Sequence, residues 1–179
     1  MANFNEAYQI GRVNEGGYVN DKNDAGGETY AGVARNFHPE WKGWPIIDAI
    51  KKTRALNRGE KINDPALEVC VHDFYKASFW DRILGDQIAD QQVANILYDW
   101  TLTSGGAIKE VQQALGLQAD GKVGPATIGA INKLAGSQAF AQIKEARRNY
   151  YTVLGQKPQN QSFLKGWLAR VDRFNYQSA

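Results

Sequence analysis

With a single cysteine, Cys70, among 179 residues, the chain cannot close a disulfide on itself, and nothing in it demands an oxidising compartment. Histidine is nearly as scarce: His38 and His72 are the only two. Neither sits in a His-Glu-x-x-His pattern or beside a paired cysteine spacing, so a zinc hydrolase is not expected and no metal or cofactor is assigned. Cys70 and His72 lie two apart within a predicted helix and point in different directions, which excludes a Cys–His dyad. Long apolar runs are missing too, so no membrane insertion is expected. Met1–Ile10 contains Glu6 and lacks the basic start and apolar core of a signal peptide. The chain is therefore expected to be made in the cytoplasm and to reach any outside target by another route.

Aromatic side chains, by contrast, are plentiful: five Trp, eight Tyr and seven Phe. They suit either a dense core or a cleft that stacks against sugars. The net charge of +2 hides an asymmetry. Residues 1–105 carry 11 basic and 15 acidic side chains, a balance of −4, whereas residues 106–179 carry 10 and 4, a balance of +6. A basic second half favours an anionic partner, although solvated helix faces would produce the same count. Arg147, Arg148, Tyr150 and Tyr151 share one late helix, but without a recognised motif such a stripe does not indicate nucleic acid.

Punctuation by Gly and Pro predicts mostly helices. Phe4, Tyr8 and Val13 mark a first helix ending near Gly16-Gly17. The Gly-, Asn- and Asp-rich stretch from Gly16 to Gly32 predicts a short hairpin or loop. Pro45 and Gly59 bound a helix over Ile46–Arg58, and Asp64-Pro65 starts another that runs to about Asp81. Ile88, Val93, Ile96, Leu97 and Trp100 have helical spacing between Asp86 and Ser104, with Gly105-Gly106 as the stop. Ala107–Leu115, Pro125–Leu134, about Gln138–Leu154 and Ser162–Gln177 complete the pattern. The fold class is mainly α, one core or one core with a small lobe.

The densest polar constellation runs from Glu15 to Gly32. A carboxylate at a helix C-terminus is disfavoured by the macrodipole, and the same setting favours the protonated form that a general acid needs. Glycoside hydrolysis uses two carboxyls flanking the scissile bond, and Glu15 with Asp24 on a returning turn is such a pair. The same residues also read as a surface helix end followed by Asx-stabilised turns. Further along, Asp120-Gly121-Lys122-Val123-Gly124-Pro125 reads either as the turn joining two helices or as a loop lining a glycan groove.

Glu15-Gly16-Gly17-Tyr18 with Asn20-Asp21, Asp24, Gly26-Gly27, Thr29 and Gly32 resembles the signature of the glycoside hydrolase family 108 N-acetylmuramidases. These are lysozyme-like proteins of phage and bacterial genomes, some labelled secretion activators. Tyr98-Asp99 through Ser104-Gly105 resembles a second family segment. Val111–Gly116, Asp120-Gly121, Gly124-Pro125 and Thr127 resemble the predicted peptidoglycan-binding region that follows it. Arg147-Arg148, Tyr150-Tyr151, Phe163, Gly166-Trp167 and Arg170-Val171 also fit. The resemblance implies a lysozyme-like fold with a catalytic region over 1–105 and a helical peptidoglycan-binding region over 106–179. It implies cleavage between N-acetylmuramic acid and N-acetylglucosamine with Glu15 as catalytic acid, Asp24 acting on water or on the transition state, and Thr29 assisting. An inverting outcome is expected; carboxyls about 5 Å apart would instead indicate retention, and roughly 6.5–9.5 Å inversion. Tyr18, Asn20, Tyr30, Tyr98, Trp100 and Ser104 are the expected substrate contacts, and peptidoglycan glycan strands the partner of a monomer acting on the cell wall. Lys22 replaces a proline common in the family, Tyr30-Ala31 its usual Asn-Tyr, and Thr103 a common Asn. Two alternatives stand beside this reading: a non-catalytic wall-binding or secretion-accessory protein, and a lytic transglycosylase.

Overall fold

The computed structural model describes residues 1–12, 16–21 and 24–177. Among them the chain is mainly helical, with one small antiparallel sheet after the first helix, the lysozyme-like class that the sequence predicts. Two compact units divide it: a sheet unit, Gly11–Ser78, and a helical unit made of Met1–Ile10 with Phe79–Ala179.

In the sheet unit three short strands, β1 (Val19–Asn20), β2 (Glu28–Tyr30) and β3 (Val33–Ala34), lie in the order β1-β2-β3. Thr29 of the central strand pairs with Val19 on one side and Ala34 on the other. The β2–β3 turn places both central residues at positive φ, Ala31 at 46° and Gly32 at 78°. That is the primed hairpin pattern, whose twist matches the strands it joins. Gly32 is doubly required, because a Cβ there would come within 2.6 Å of the Tyr75 hydroxyl. That hydroxyl donates to the Ala31 carbonyl at 2.9 Å and so holds the turn in place.

Two helices back the sheet. The first, α2 (Trp44–Thr53), has Pro in its first turn and buries Trp44 and Ile47. It stops five residues short of the expected Arg58, because the chain leaves the helix to pair with another segment. Gly59 N–H donates to the Tyr18 carbonyl at 2.7 Å, and Tyr18 N–H to the Glu60 carbonyl at 2.8 Å. The second, α3 (Pro65–Tyr75), is capped by Asp64, whose carboxylate accepts from Ala66 and Leu67 N–H at 2.9 and 3.0 Å. Such a cap contributes about 1 kcal/mol. Tyr30, Val33, Trp41, Trp44, Ile47, Ile62, Leu67 and Val71 form the core of this unit. The buried Trp41 and Trp44 indoles donate to the carbonyls of Cys70 and His38. Beyond Tyr75 the expected continuation to Asp81 is a π-helical turn, Lys76–Trp80, followed by a 3₁₀ turn, Asp81–Ile83.

The helical unit holds the start of α1 (Phe4–Arg12), expected to run to near Gly16-Gly17; residues 13–15 lie outside the described residues. Phe4, Trp80 and Tyr98 pack their rings against one another with centroids 5.6–5.9 Å apart. Five more helices follow: α4 (Gln91–Thr103), α5 (Ala107–Ala114), α6 (Pro125–Lys133), α7 (Gly136–Gly155) and α8 (Gln161–Asp172). Helix α4 starts at Gln91, five residues after the expected Asp86, where Asp90 caps it by accepting from Gln92 and Val93 N–H. Helix α7 is the spine and packs on α4, α5, α6 and α8. Val93, Ile96, Leu97 and Trp100 form the buried stripe of α4 that their spacing indicates.

An ion pair is enclosed in this core. Asp99 is 2% exposed and Arg147 is 0% exposed, and Arg147 donates to Asp99 Oδ2 at 2.7 Å. Arg170 completes the cluster as a fork, its Nε 2.9 Å from Oδ2 and its terminal nitrogen 2.6 Å from Oδ1. A carboxylate buried this deeply is tolerable only when its oxygens are satisfied, and here both are. The Arg147 guanidinium also lies 5.8 Å from the Tyr151 ring centre and 5.5 Å from that of Phe174.

Candidate active site

Residues 16–21 and 24–32 fold into a turn-and-strand framework inside the sheet unit. Glu15, the expected acid, lies outside the described residues, as do Lys22 and Asn23. Asp24 is exposed and begins an Asx turn: its Oδ1 accepts from Gly26 N–H at 2.7 Å, and its carbonyl accepts from Gly27 N–H at 2.9 Å. The second oxygen, Oδ2, accepts no hydrogen bond from a described residue. The bond to Oδ1 thus fixes the direction of the carboxylate.

Thr29 is brought to the same place. A Cβ added to Gly26 would lie 3.2 Å from Asp24 Oδ1, 3.6 Å from Thr29 Oγ1 and 2.9 Å from the Ala34 Cβ. The missing side chain of Gly26 therefore lets the two polar groups converge. Thr29 donates to the Gly27 carbonyl at 3.3 Å, and the positive φ of Gly27, 64°, turns the chain from the Asx turn into β2.

Along β2 side chains alternate, so Glu28 and Tyr30 point away from the face that carries Thr29. Tyr30 is buried: its hydroxyl accepts from Ile62 N–H at 3.1 Å and donates to the Ile62 carbonyl at 3.3 Å. Glu28 is the hub of a charge network that sequence reasoning did not single out. Its carboxylate accepts from the Tyr18 hydroxyl at 2.7 Å and from Lys51 Nζ at 2.5 Å, and pairs with Arg35 at 3.1 Å. Arg35 also reaches Asp48 at 2.9 Å and lies 4.4 Å from the centre of the Trp44 ring. Burial, then the bond to Glu28, raises the Tyr18 pKa; the Lys51 pKa is raised chiefly by its bond to Glu28. Tyr18 is buried, while Asn20, whose backbone faces Glu28 across the β1–β2 ladder, is exposed.

The other expected contacts belong to the helical unit. Tyr98 is 1% exposed within the Phe4–Trp80 cluster, and Trp100 is fully enclosed with its ring edge-on to Tyr150 at 6.0 Å. Ser104, half-buried, donates to the Tyr150 hydroxyl at 3.0 Å and accepts from Gly106 N–H at 3.2 Å. Neighbouring Thr103 shares a 2.7 Å hydrogen bond with the Tyr151 hydroxyl. The Asp120–Pro125 loop is organised by buried Gln112, whose amide donates to Asp120 at 2.8 Å and to the Lys122 carbonyl at 2.9 Å. The Gln112 carbonyl accepts from Gly121 N–H at 2.8 Å, and Gly121 sits at φ 79°. Among the described residues no three His, Cys, Asp or Glu side chains are grouped so as to hold a metal ion, and no helix is long and apolar enough to cross a membrane.

Residues 11–105 match the family model described as glycosyl hydrolase 108. The chain belongs to this family. Residues 106–172 match a second model, described as a predicted peptidoglycan domain. The structure of SagA from Brucella abortus is similar to this chain, with a TM-score of 0.64 at 25% sequence identity. That match covers 96% of this chain and 90% of SagA. A search of curated proteins finds no match. A glycosyl hydrolase segment joined to a peptidoglycan segment makes this a glycoside hydrolase family protein with peptidoglycan as its partner, directed at the cell wall.

Proposed function

We propose that this glycosyl hydrolase 108 protein is an N-acetylmuramidase that hydrolyses the bond between N-acetylmuramic acid and N-acetylglucosamine. The observation that carries the reading is the convergence of Asp24 and Thr29 around the empty side of Gly26, within the family segment that also contains Glu15. Glu15 donates its proton to the glycosidic oxygen as the bond breaks. Asp24, fixed through Oδ1, uses Oδ2 to orient or deprotonate the attacking water, and the Thr29 hydroxyl holds that water from a second side. This division of labour gives inversion at the anomeric carbon. No metal or cofactor enters any step.

Of the other contacts suggested by the sequence, Asn20 and Ser104 reach solvent and meet the glycan directly. Tyr18, Tyr30, Tyr98 and Trp100 are buried and hold their elements in place. Residues 1–105 carry catalysis and residues 106–179 wall binding. The protein acts on the wall as a monomer.

Digestion of purified peptidoglycan, with mass analysis of the fragments, tests the reading. Hydrolysis leaves reducing muramic acid ends. Anhydro-muramic ends identify a transglycosylase, which needs no water-directing Asp24, and intact strands from a protein that still binds the wall identify a non-catalytic binder.

A further inference from the structure

An aromatic chain runs from the interior of the helical unit to its surface. Trp100 is enclosed; Tyr150 meets it at 6.0 Å, Tyr151 meets Tyr150 at 5.3 Å, Trp167 stacks on Tyr151 at 5.3 Å, and Phe163 stacks on Trp167 at 5.8 Å. The last two pairs are nearly parallel, with interplanar angles of 27° and 25°. Phe163 is 56% exposed at the start of α8, and Val153, on α7, is 62% exposed. A stacked ring pair with so much of its outer member in water is an unfilled apolar surface of defined orientation.

A chain of hydrogen bonds ends on the same group of rings. Gly106 N–H donates to Ser104 Oγ, whose hydroxyl donates to the Tyr150 oxygen. Tyr150 is half-buried, and its own O–H has no acceptor among the described residues. Each bond in such a chain polarises the next, so the terminal hydroxyl is a strengthened donor in need of an acceptor. The exposed ring pair matches a flat C–H face and the Tyr150 hydroxyl a neutral carbonyl, and a strand of N-acetylated pyranoses repeats both along its length. The positive balance of residues 106–179 favours an anionic polymer carrying that sugar.

We propose that Phe163, Trp167 and Tyr150 form a glycan-contact surface of the C-terminal segment. The Phe163–Trp167 rings take the apolar face of an N-acetylated sugar of the peptidoglycan strand, and the Tyr150 hydroxyl donates to an acetamide carbonyl. The choice of glycan rests on the muramidase reading, and binding is measured apart from cleavage so that each can fail alone.

The test uses the full chain carrying Glu15→Gln, cosedimented with purified insoluble peptidoglycan, with soluble N-acetylglucosamine oligomers or free stem peptide as competitors. Phe163→Ala in this background is expected to weaken binding about tenfold and Tyr150→Phe about threefold. Both should keep the parent's thermal unfolding midpoint to within about 2–4 °C, since one side chain is largely exposed and the other loses one part-buried hydrogen bond. The sugar oligomers should displace the parent. Binding unchanged in both variants, or displacement by stem peptide alone, overturns the proposal. Wild type that binds through these residues but leaves strands uncut sinks the muramidase reading and keeps this surface. Wild type that cuts, while the two variants bind like their parent, does the reverse.

Discussion

Each of the two compact units is organised around one carboxylate held by two cations, and the two arrangements differ in depth. In the helical unit Asp99 and Arg147 are sealed from water, and only Arg170 reaches it, with 21% of its side chain exposed. In the sheet unit the Glu28 side chain is 9% exposed, but Arg35 and Lys51 are 30% and 33% exposed. Water screens the second network and barely touches the first. The Asp99 cluster therefore acts as an all-or-none structural element, tying α4 to α7 and α8. The Glu28 hub is a softer fastening, which ties β2, the strand that carries Thr29, to α2 and to Tyr18 just before β1. A proposed catalytic turn thus stands on a framework that tolerates change, while the proposed binding segment is pinned by a group that does not.

The largest expected effect comes from breaking the deeper centre. Asp99→Asn leaves two guanidinium groups facing a neutral amide in the core, and should cost about 3–5 kcal/mol. Denaturant unfolding measures the loss, and hydrogen exchange should place it in α4, α7 and α8. If the sheet unit loosened first, the contrast between the units would be wrong.

A smaller loss is expected at the other hub. Glu28→Gln should destabilise by about 1–2 kcal/mol, because its cations remain solvated. Protection should fall in β1 and β2. Alkaline titration sharpens the same point. The Tyr18 and Lys51 pKa values are raised on folding, so their contribution is complete below the unfolded values near 10.0 and 10.5 and is lost as pH rises through the folded ones. Stability of the sheet unit should therefore fall above about pH 10, and Glu28→Gln should shrink the Lys51 part of that fall while leaving the part due to Tyr18 burial.

The smallest effect is a gain. Ala31 holds φ 46° in the hairpin turn. Removing its Cβ with Ala31→Gly relieves about 1 kcal/mol of left-handed strain, partly offset by the entropy of the unfolded glycine. A thermal midpoint that falls instead would mean that the Ala31 side chain packs usefully in its buried position.

Much of this architecture is written in local signals. Asp64-Pro65 and Pro125 begin helices where their chemistry says, and Gly105-Gly106 ends α4, because caps and breakers act over a few residues. The early end of α2 was not legible, since the competing partner of Gly59 and Glu60 is Tyr18, some forty residues earlier. Glu28 was hidden for the same reason: Lys51, its cation on α2, lies 23 residues away. Asp99 carried a usable clue, a lone carboxylate between Leu97-Tyr98 and Trp100 on an apolar stripe, which must find buried partners; the sequence could not say that they would be Arg147 and Arg170. The Asx turn at Asp24 follows from its own residues, whereas the approach of Thr29 depends on strand pairing that brings Ala34 and Gly26 together.

The most direct test of the central claim is the clearing of purified peptidoglycan by wild type, Glu15→Gln and Asp24→Asn, each checked for an unchanged fold. The muramidase reading predicts clearing by wild type with reducing muramic ends, and rates at least about a hundredfold lower in both variants. Near-wild-type clearing by Glu15→Gln would contradict it.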